Sequence, residues 1–293
     1  MLKKRGKLFW IIILLIVLVL GYFSFKWINK DVVSIKTHVI TSGPIESVVS
    51  ASGIVDAPIY NLGPKMGGKI ISLKVKEGEM VREGMTLAEF DDTTRIVAPG
   101  NGIVAKINYE EGEMVVPGSS AIVVVNNDNS WVEAQIDEID IAGVKIGDKV
   151  KITSDVYPDK IFDGELYWIA PLAELRKVGG RVKMDEESNV FPCKIKFLGD
   201  HKDLKANMSV NIELITKTNN NAILVPRESI FSRDDSSLIY KIINNRAYET
   251  KIGVGIRSYV SVEAVTGLSI GDVIAFSNIS QLKDKARVKI NGK

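Results

Sequence analysis

The stretch Gly68-Lys-Ile-Ile-Ser-Leu-Lys-Val-Lys-Glu-Gly-Glu-Met-Val-Arg-Glu-Gly84 returns 34 residues later as Gly102-Ile-Val-Ala-Lys-Ile-Asn-Tyr-Glu-Glu-Gly-Glu-Met-Val-Val-Pro-Gly118. Gly68, Gly78, Glu79, Met80, Val81 and Gly84 match Gly102, Gly112, Glu113, Met114, Val115 and Gly118 without a gap. Self-similarity at a fixed period marks one supersecondary unit used twice. Each copy alternates apolar and polar residues, as a half-buried strand does. Its glycines fall where tight turns require positive φ. Neither copy buries its apolar face alone, so the two are expected to close into one small sandwich related by a pseudo-twofold. In that sandwich Ile70 and Leu73 take the same core roles as Val104 and Ile107. Two generic hairpins that merely share turn glycines would have no reason to keep these identities in register.

Two such halves joined by a short connection resemble a biotinyl/lipoyl carrier domain. Ile96-Val-Ala-Pro-Gly-Asn-Gly-Ile-Val104 is similar to the lead into the second half of such domains. A carrier presents its modified lysine on the turn between the halves. Here that turn is Phe90-Asp-Asp-Thr-Thr-Arg-Ile96, with no lysine between Lys76 and Lys106. An acyl or biotinyl amide needs an ε-amine, which Arg95 does not supply. The scaffold is therefore present without its prosthetic group, and a carrier-domain enzyme subunit is excluded. No cofactor is expected.

A lipoyl-like domain without its lysine, behind an apolar N-terminal segment, resembles the HlyD-like membrane fusion proteins, the periplasmic adaptors of efflux and secretion pumps. The likeness continues along the chain in the family's order, over roughly residues 40 to 275. Val48-Val-Ser-Ala-Ser-Gly-Ile-Val55 resembles the family's first strand. Trp131-Val-Glu-Ala-Gln-Ile-Asp-Glu-Ile-Asp-Ile141 and Ile146-Gly-Asp-Lys-Val-Lys-Ile152 resemble the start of its β-barrel. Phe162-Asp-Gly-Glu-Leu-Tyr-Trp-Ile-Ala-Pro171, Ile223-Leu-Val-Pro-Arg-Glu-Ser-Ile230 and Gly267-Leu-Ser-Ile-Gly-Asp-Val-Ile274 are similar to later family strands. Leu204-Lys-Ala-Asn-Met-Ser-Val210 is similar to a family turn in which Asn207 stands for the usual glycine. Asparagine also tolerates left-handed φ. One departure stands out. Family members insert a long α-helical hairpin between the lipoyl halves. The residues around Asp92-Thr-Thr-Arg95 are too few for it, since one stable helix alone needs about a dozen residues. The resemblance therefore implies a member without the hairpin, and without the outer-membrane duct contact that the hairpin makes.

Leu8 to Phe25 is 18 residues without a charge. At about 1.5 Å per residue it spans ~27 Å, close to a bilayer core of ~30 Å. Lys3, Lys4, Arg5 and Lys7 precede it, so the N-terminus is expected in the cytoplasm. Trp10, Tyr22, Phe23 and Trp27 sit near its ends, at headgroup level. A cleaved signal peptide would need small residues after the apolar run, and Gly21-Tyr-Phe-Ser-Phe-Lys-Trp27 is bulky. Lipid attachment there would need a cysteine, and the single one is Cys193.

The net charge of +2 conceals an asymmetry. Residues 1–30 hold six Lys/Arg and no acid, leaving 32 bases against 36 acids, a net −4, for the rest. A slightly acidic ectodomain lacks the basic face that nucleic-acid binding requires. One cysteine permits no internal disulfide, so packing alone stabilises the fold. Strand signals dominate, with turns such as Asn126-Asn-Asp-Asn129 and Asn219-Asn-Asn221. The one helix candidate is Ile136 to Val144, a short helical turn within the barrel.

No catalytic, cofactor-binding or metal-binding residues are assigned. His38 and His201 fall in different expected domains without a cysteine partner, short of the three or four ligands a metal needs. Asp137-Glu-Ile-Asp140 and Asp185-Glu-Glu187 lack the glycine-containing spacing of a Ca²⁺ loop. Cys193 alternates with Phe191 and Ile195 as a small core residue. No G-K-[ST] phosphate loop is present, so the chain does not hydrolyse ATP. The turn Asp140-Ile-Ala-Gly-Val-Lys-Ile-Gly-Asp148 precedes the strand from Lys149 to Thr153 and receives no binding role. Residues 174–187 form a charged, glycine-bearing loop, long for a hairpin; such loops carry contacts on many surfaces, but a plain flexible loop is the favoured reading over a partner site.

The fold class expected is mainly β: an N-terminal transmembrane helix, then a lipoyl-like β-sandwich, a β-barrel and a membrane-proximal β-domain. Residues 1–30 hold the basic tip and the anchor, 59–126 the lipoyl-like domain and 127–216 the barrel. Residues 31–58 and 217–293 together form the membrane-proximal domain and tail. The resemblance implies a non-enzymatic adaptor in the cell membrane, single-pass with its bulk extracytoplasmic. Its partner would be a cytoplasmic-membrane transporter, ABC permease and ATPase by family analogy, and copies of it would form a ring. The missing hairpin suits a single-membrane bacterium. The rival reading is a membrane-tethered binding module with no pump partner.

Overall fold

The computed structural model describes residues 32–178, 181–182 and 188–291. The expected anchor at residues 8–25 lies outside them. Among the described residues no helix is long and apolar enough to cross a membrane. The chain divides into two compact units: Val48–Thr216, and the chain up to Ser47 together with Lys217 onward.

In the first of these, the repeat builds a sandwich of two four-stranded sheets. The strands Gly68–Leu73 and Gly102–Ile107 are equivalent, as are Met80–Val81 and Met114–Val115. The short strands are exchanged: Met114 pairs with Lys69 in one sheet and Met80 with Ile103 in the other. The same exchange governs the turns. Gly112 N donates to Ile70 O at 2.7 Å and Gly78 N to Val104 O at 2.8 Å. Gly78 and Gly112 have φ of 84° and 94°, which is why both turns use glycine. Glu111 Oε1 accepts from Leu73 N at 2.7 Å, and Glu77 Oε1 accepts from Ile107 N at 2.8 Å. Each half thus satisfies a backbone donor of the other with a carboxylate. Glu77 and Glu111 are a further identity of the repeat, beyond the six that frame it.

Ile70 and Val104 are both 1 % exposed and sit in the sandwich core with Leu87, Phe90, Ile122 and Val124. Leu73 and Ile107 are only half-buried at its margin. The twofold equivalence holds, but the outer pair fills the core incompletely because each lies at the end of its strand.

The barrel follows. Trp131–Asp137 lies between Asn189–Phe197 and the end of Thr41–Asp56. Tyr157–Ile169 pairs with Asn189–Phe197 and with Lys149–Ser154. Lys149–Ser154 pairs with the first half of Ser209–Pro226, which adjoins Thr41–Asp56 and closes the ring at six strands. Asn207 N donates to Val55 O at 2.7 Å, and Val55 N to Met208 O at 2.9 Å. Asn207 has φ 67°, so it takes the left-handed conformation expected of it. Closure removes exposed strand edges. The interior holds Val132, Ala134, Ile136, Ile152, Leu166, Cys193, Ile195 and Leu214. The helix expected over Ile136–Val144 is corrected: Ile136 belongs to a strand, and the helical turn is confined to Ile141–Gly143. Pairing of Ile136 with Phe191 on the neighbouring strand wins over local propensity.

The other unit is built on a seven-stranded sheet. Val33–Ile35 pairs in parallel with Ala286–Ile290, placing the first described strand beside the last. Ser236–Ile243 and Arg246–Lys251 form its central hairpin, turned by Asn244 and Asn245 at positive φ. Tyr240 is buried there and its hydroxyl donates to Leu282 O at 3.0 Å. The second half of Ser209–Pro226 pairs with Ser261–Thr266, which pairs with Gly253–Arg257. Residues 53–56, grouped by sequence with the membrane-proximal part, pair with Trp131–Ala134 of the barrel. A 16-residue strand extends about 50 Å, long enough to contribute to both units.

Candidate interaction surfaces

The connection between the sandwich halves is a tight turn. Thr86–Phe90 pairs with Arg95–Val97, leaving residues 91–94 as the link. Phe90 N donates to Thr94 O at 2.9 Å, and Thr93 has φ 69°. Asp92 Oδ1 accepts from the Thr94 hydroxyl at 2.5 Å and from Thr94 N at 2.9 Å. The Thr94 hydroxyl first, and its backbone amide second, hold the Asp92 carboxyl below its usual range. Asp91 Oδ1 ties the turn to Lys69 N at 3.0 Å. The position where a carrier would display its lysine is thus filled by a closed, acidic, self-capped turn that offers no amine.

On the barrel's outer face, the strand registers bring three side chains together that are far apart in sequence. Lys194 Nζ lies 5.2 Å from the Trp131 ring centroid and 5.6 Å from that of Trp168. Both distances suit cation–π attraction. Glu133 stands opposite Lys194 in the register, and Asp56 opposite Trp131. A bulge between Leu166 and Trp168 turns Tyr167 outward. Partial burial raises the Tyr167 phenol above its ordinary range, with Glu133 and then Asp56 adding to the effect. This aromatic strip was missed in the sequence. Its signal was the outward-facing alternation of Trp131 with buried Val132, but the partners depend on register. A separate cleft of about 870 Å³ is lined by Met80, Arg82 and Asn101 of the sandwich together with Asn127, Lys202 and Lys205.

The residues considered for metal chemistry do not converge. His38 packs against Phe276 at 6.2 Å. His201 stacks on Phe197 at 4.3 Å, in the other unit, and its Nδ1 bonds Gly199 O. Asp137 pairs with Arg176, and Glu138 accepts from Asn189 at 3.1 Å. Asp185-Glu-Glu187 lies outside the described residues. No group of three potential ligands occurs among the described residues. Cys193 is fully buried, and burial pushes its thiol up to about 12. The turn before Lys149 packs back on the barrel, with Gly147 N donating to Leu166 O at 2.8 Å.

These two domains, in this order, define a class. Residues 59–127 match the RND MFP, barrel-sandwich hybrid domain, and residues 130–214 match the YknX-like beta-barrel domain. Together these two matches cover just over half of the chain and place it with the membrane fusion proteins. Among curated relatives, the putative efflux system component YhbJ of Bacillus subtilis is 30% identical over 33% of this chain and 45% of its own length. The multidrug export protein EmrA of Escherichia coli is 30% identical over 40% and 30%. The macrolide export protein MacA of Yersinia pestis is 24% identical over 64% and 49%. The matches thus span less than half the length of these relatives. Among solved structures, MacA from Actinobacillus actinomycetemcomitans superposes with a TM-score of 0.67 at 17% identity, over 82% of this chain and 99% of that one. That likeness establishes the fold.

Proposed function

We propose that this chain is the non-enzymatic adaptor of a transmembrane efflux or export pump. It is held in the cell membrane by residues 8–25, with its N-terminus cytoplasmic and its bulk outside. The observation that carries the reading is the out-and-back path of the chain. Val33–Ile35 and Ala286–Ile290 lie side by side in one sheet, and the sandwich and barrel form the excursion between them. A unit fixed near the anchor at both its entry and its return is suited to dock on a transporter's external face. Export functions named for the relatives favour a transporter over a free ligand. The transporter is of the ABC class, with permease and ATPase, and copies of the adaptor assemble into a ring around the conduit. The closed turn at residues 91–94 supports contact without an outer-membrane duct.

Purification of the full chain from membranes tests this. Transporter subunits are expected to co-purify. Deletion of residues 217–293 abolishes that recovery, whereas Gly/Ser replacement of Asp92-Thr-Thr-Arg95 leaves it intact. Circular dichroism must confirm that the deleted form keeps its remaining strands, since removing them exposes an edge. If the intact protein never recovers a transporter subunit, the reading falls and the tethered binding module replaces it.

A further inference from the structure

The hairpin joining Gly253–Arg257 to Ser261–Thr266 carries an unusual tip. Tyr259 is 70% exposed and Val260 77%. Turns ordinarily use Gly, Asn, Asp or Ser. The two other hairpins of this unit follow that rule, turning on Asp234-Asp235 and Asn244-Asn245, all at positive φ. Here a tyrosine and a valine stand at the corner instead. The corner is firmly held. Ser258 N donates to Ser261 O at 2.8 Å, the Ser258 hydroxyl donates to the same oxygen at 3.0 Å, and Ser261 N donates to Ser258 Oγ at 3.1 Å. Arg227 N donates to Val260 O at 3.1 Å, which fixes a second basic residue beside the tip. Arg227 and Arg257 are both exposed, with Glu228 the acid next to them.

The tip's place within its unit is equally specific. Ser261 is level with Pro226, the far end of the strand that enters this unit at Lys217. The nine steps of strand from Lys217 to Pro226 put about 30 Å between those ends. A Cβ on Gly43 would lie 3.0 Å from Leu224 Cδ1, so the start of Thr41–Asp56 is at the tip's end too. From that end the chain leads back through Val33 toward Phe25. The eight residues from Phe25 to Val33 reach at most ~27 Å. The unit is therefore on a short leash from the segment read as the anchor.

We propose that Tyr259 and Val260 insert into the lipid headgroup region, with Arg227 and Arg257 pairing with anionic headgroups. The inference rests on the reading of residues 8–25 as a membrane anchor. Tyrosine places an apolar ring and a polar hydroxyl across the membrane–water boundary, where it is enriched. Arginine lays its stem along apolar surface and keeps its charge at the headgroups. Two apolar residues between two cations suit this shallow contact. They are far short of the roughly 800 Å² per partner of a stable protein interface. The tip would orient the unit on the bilayer beside its transporter.

The test uses the full chain in phosphatidylglycerol-containing vesicles. Val260→Cys adds one reactive thiol, because Cys193 is fully buried. An environment-sensitive fluorophore on it reports depth through quenching by bromolipids. Ile139→Cys, at a site 88% exposed in the other unit, is the aqueous control. The probe at 260 is expected to be blue-shifted and quenched at least about two-fold more than at 139, and Arg227→Glu with Arg257→Glu should remove most of that difference. A protein that floats with vesicles while its 260 probe stays as aqueous as 139 overturns the inference and leaves the anchor standing. A protein that does not float after an alkaline wash overturns both. If the 260 probe is aqueous and Tyr259→Ser loses the transporter, the tip is a protein contact and the lipid assignment is wrong.

Discussion

Gly68 and Gly102 occupy equivalent places in the repeat, yet alanine should be tolerated at one and not at the other. Neither has positive φ, so the argument rests on space. A Cβ at Gly102 would lie 2.7 Å from Val124 Cγ1 and 2.7 Å from the Val125 carbonyl oxygen. Both belong to the adjacent strand Ile122–Val125, whose backbone is fixed by pairing on both sides. A Cβ at Gly68 meets Asp91 Oδ1 and Phe90 Cδ1, each at 3.2 Å, and both are side-chain atoms that can give. Overpacking a filled site costs about 1–3 kcal/mol. Replacing glycine removes unfolded-state freedom and returns about 0.4–1 kcal/mol. Gly102→Ala should therefore destabilise by about 1–2 kcal/mol, and Gly68→Ala by close to zero. For a unit of this size that is a drop of roughly 3–6 °C in Tm for the first variant. Thermal unfolding of the detergent-solubilised full chain by far-UV circular dichroism measures it. Hydrogen exchange at the amides of Ile70 to Leu73 would confirm that the sandwich is the part affected. Equal shifts for the two variants would refute the claim that the strand Ile122–Val125 breaks the symmetry.

Other outcomes follow from particular side chains. Ile70→Ala should cost about 2–5 kcal/mol, and Leu73→Ala about half as much because Leu73 is half-buried; urea unfolding compares them. Cys193 should resist maleimide at about pH 8.5 until denaturant is added, since burial holds its thiol near 12. The unfolded thiol ionises near ~8.5 while the native one stays protonated, so stability should fall as pH rises through that window, and Cys193→Ala should flatten the slope. Asp272 accepts from Lys241 Nζ at 2.7 Å and from Ser269 N at 2.9 Å, and the Lys241 bond chiefly lowers its carboxyl pKa. Asp272→Asn should cost about 1–2 kcal/mol at neutral pH. Because the native pKa is lowered, that contribution is present above the unfolded value of about 3.9 and fades as pH falls below it, so the variant and parent should converge in acid.

The sequence by itself determined what depends on neighbouring residues. The repeat of Gly78 and Gly112, the turn at Asn207 and the alternation around Ile70 and Val104 each state a local backbone preference. The structure carries them out as positive φ and inward-facing side chains. The lack of a lysine from Lys76 to Lys106 was likewise legible, since chemistry needs only the residue's absence. What tertiary structure alone decided involves partners distant in the chain. The strand ending at Asp56 closes a barrel with one starting at Ser209, and no local pattern gives that register. Leu73 and Ile107 look like core residues in their own strands, but where the sheets end leaves them at the margin. Ile136 reads as helical in its own segment and is held in a strand by Phe191 opposite. Glu77 and Glu111 look like solvated charges until the halves cross and each carboxylate meets the other half's amide. The Trp131, Lys194 and Trp168 strip also exists only through register. Local preference is set by the energy of one or a few adjacent dihedrals. Pairing is set by which distant surfaces exclude water together, and a short stretch of sequence does not encode that choice.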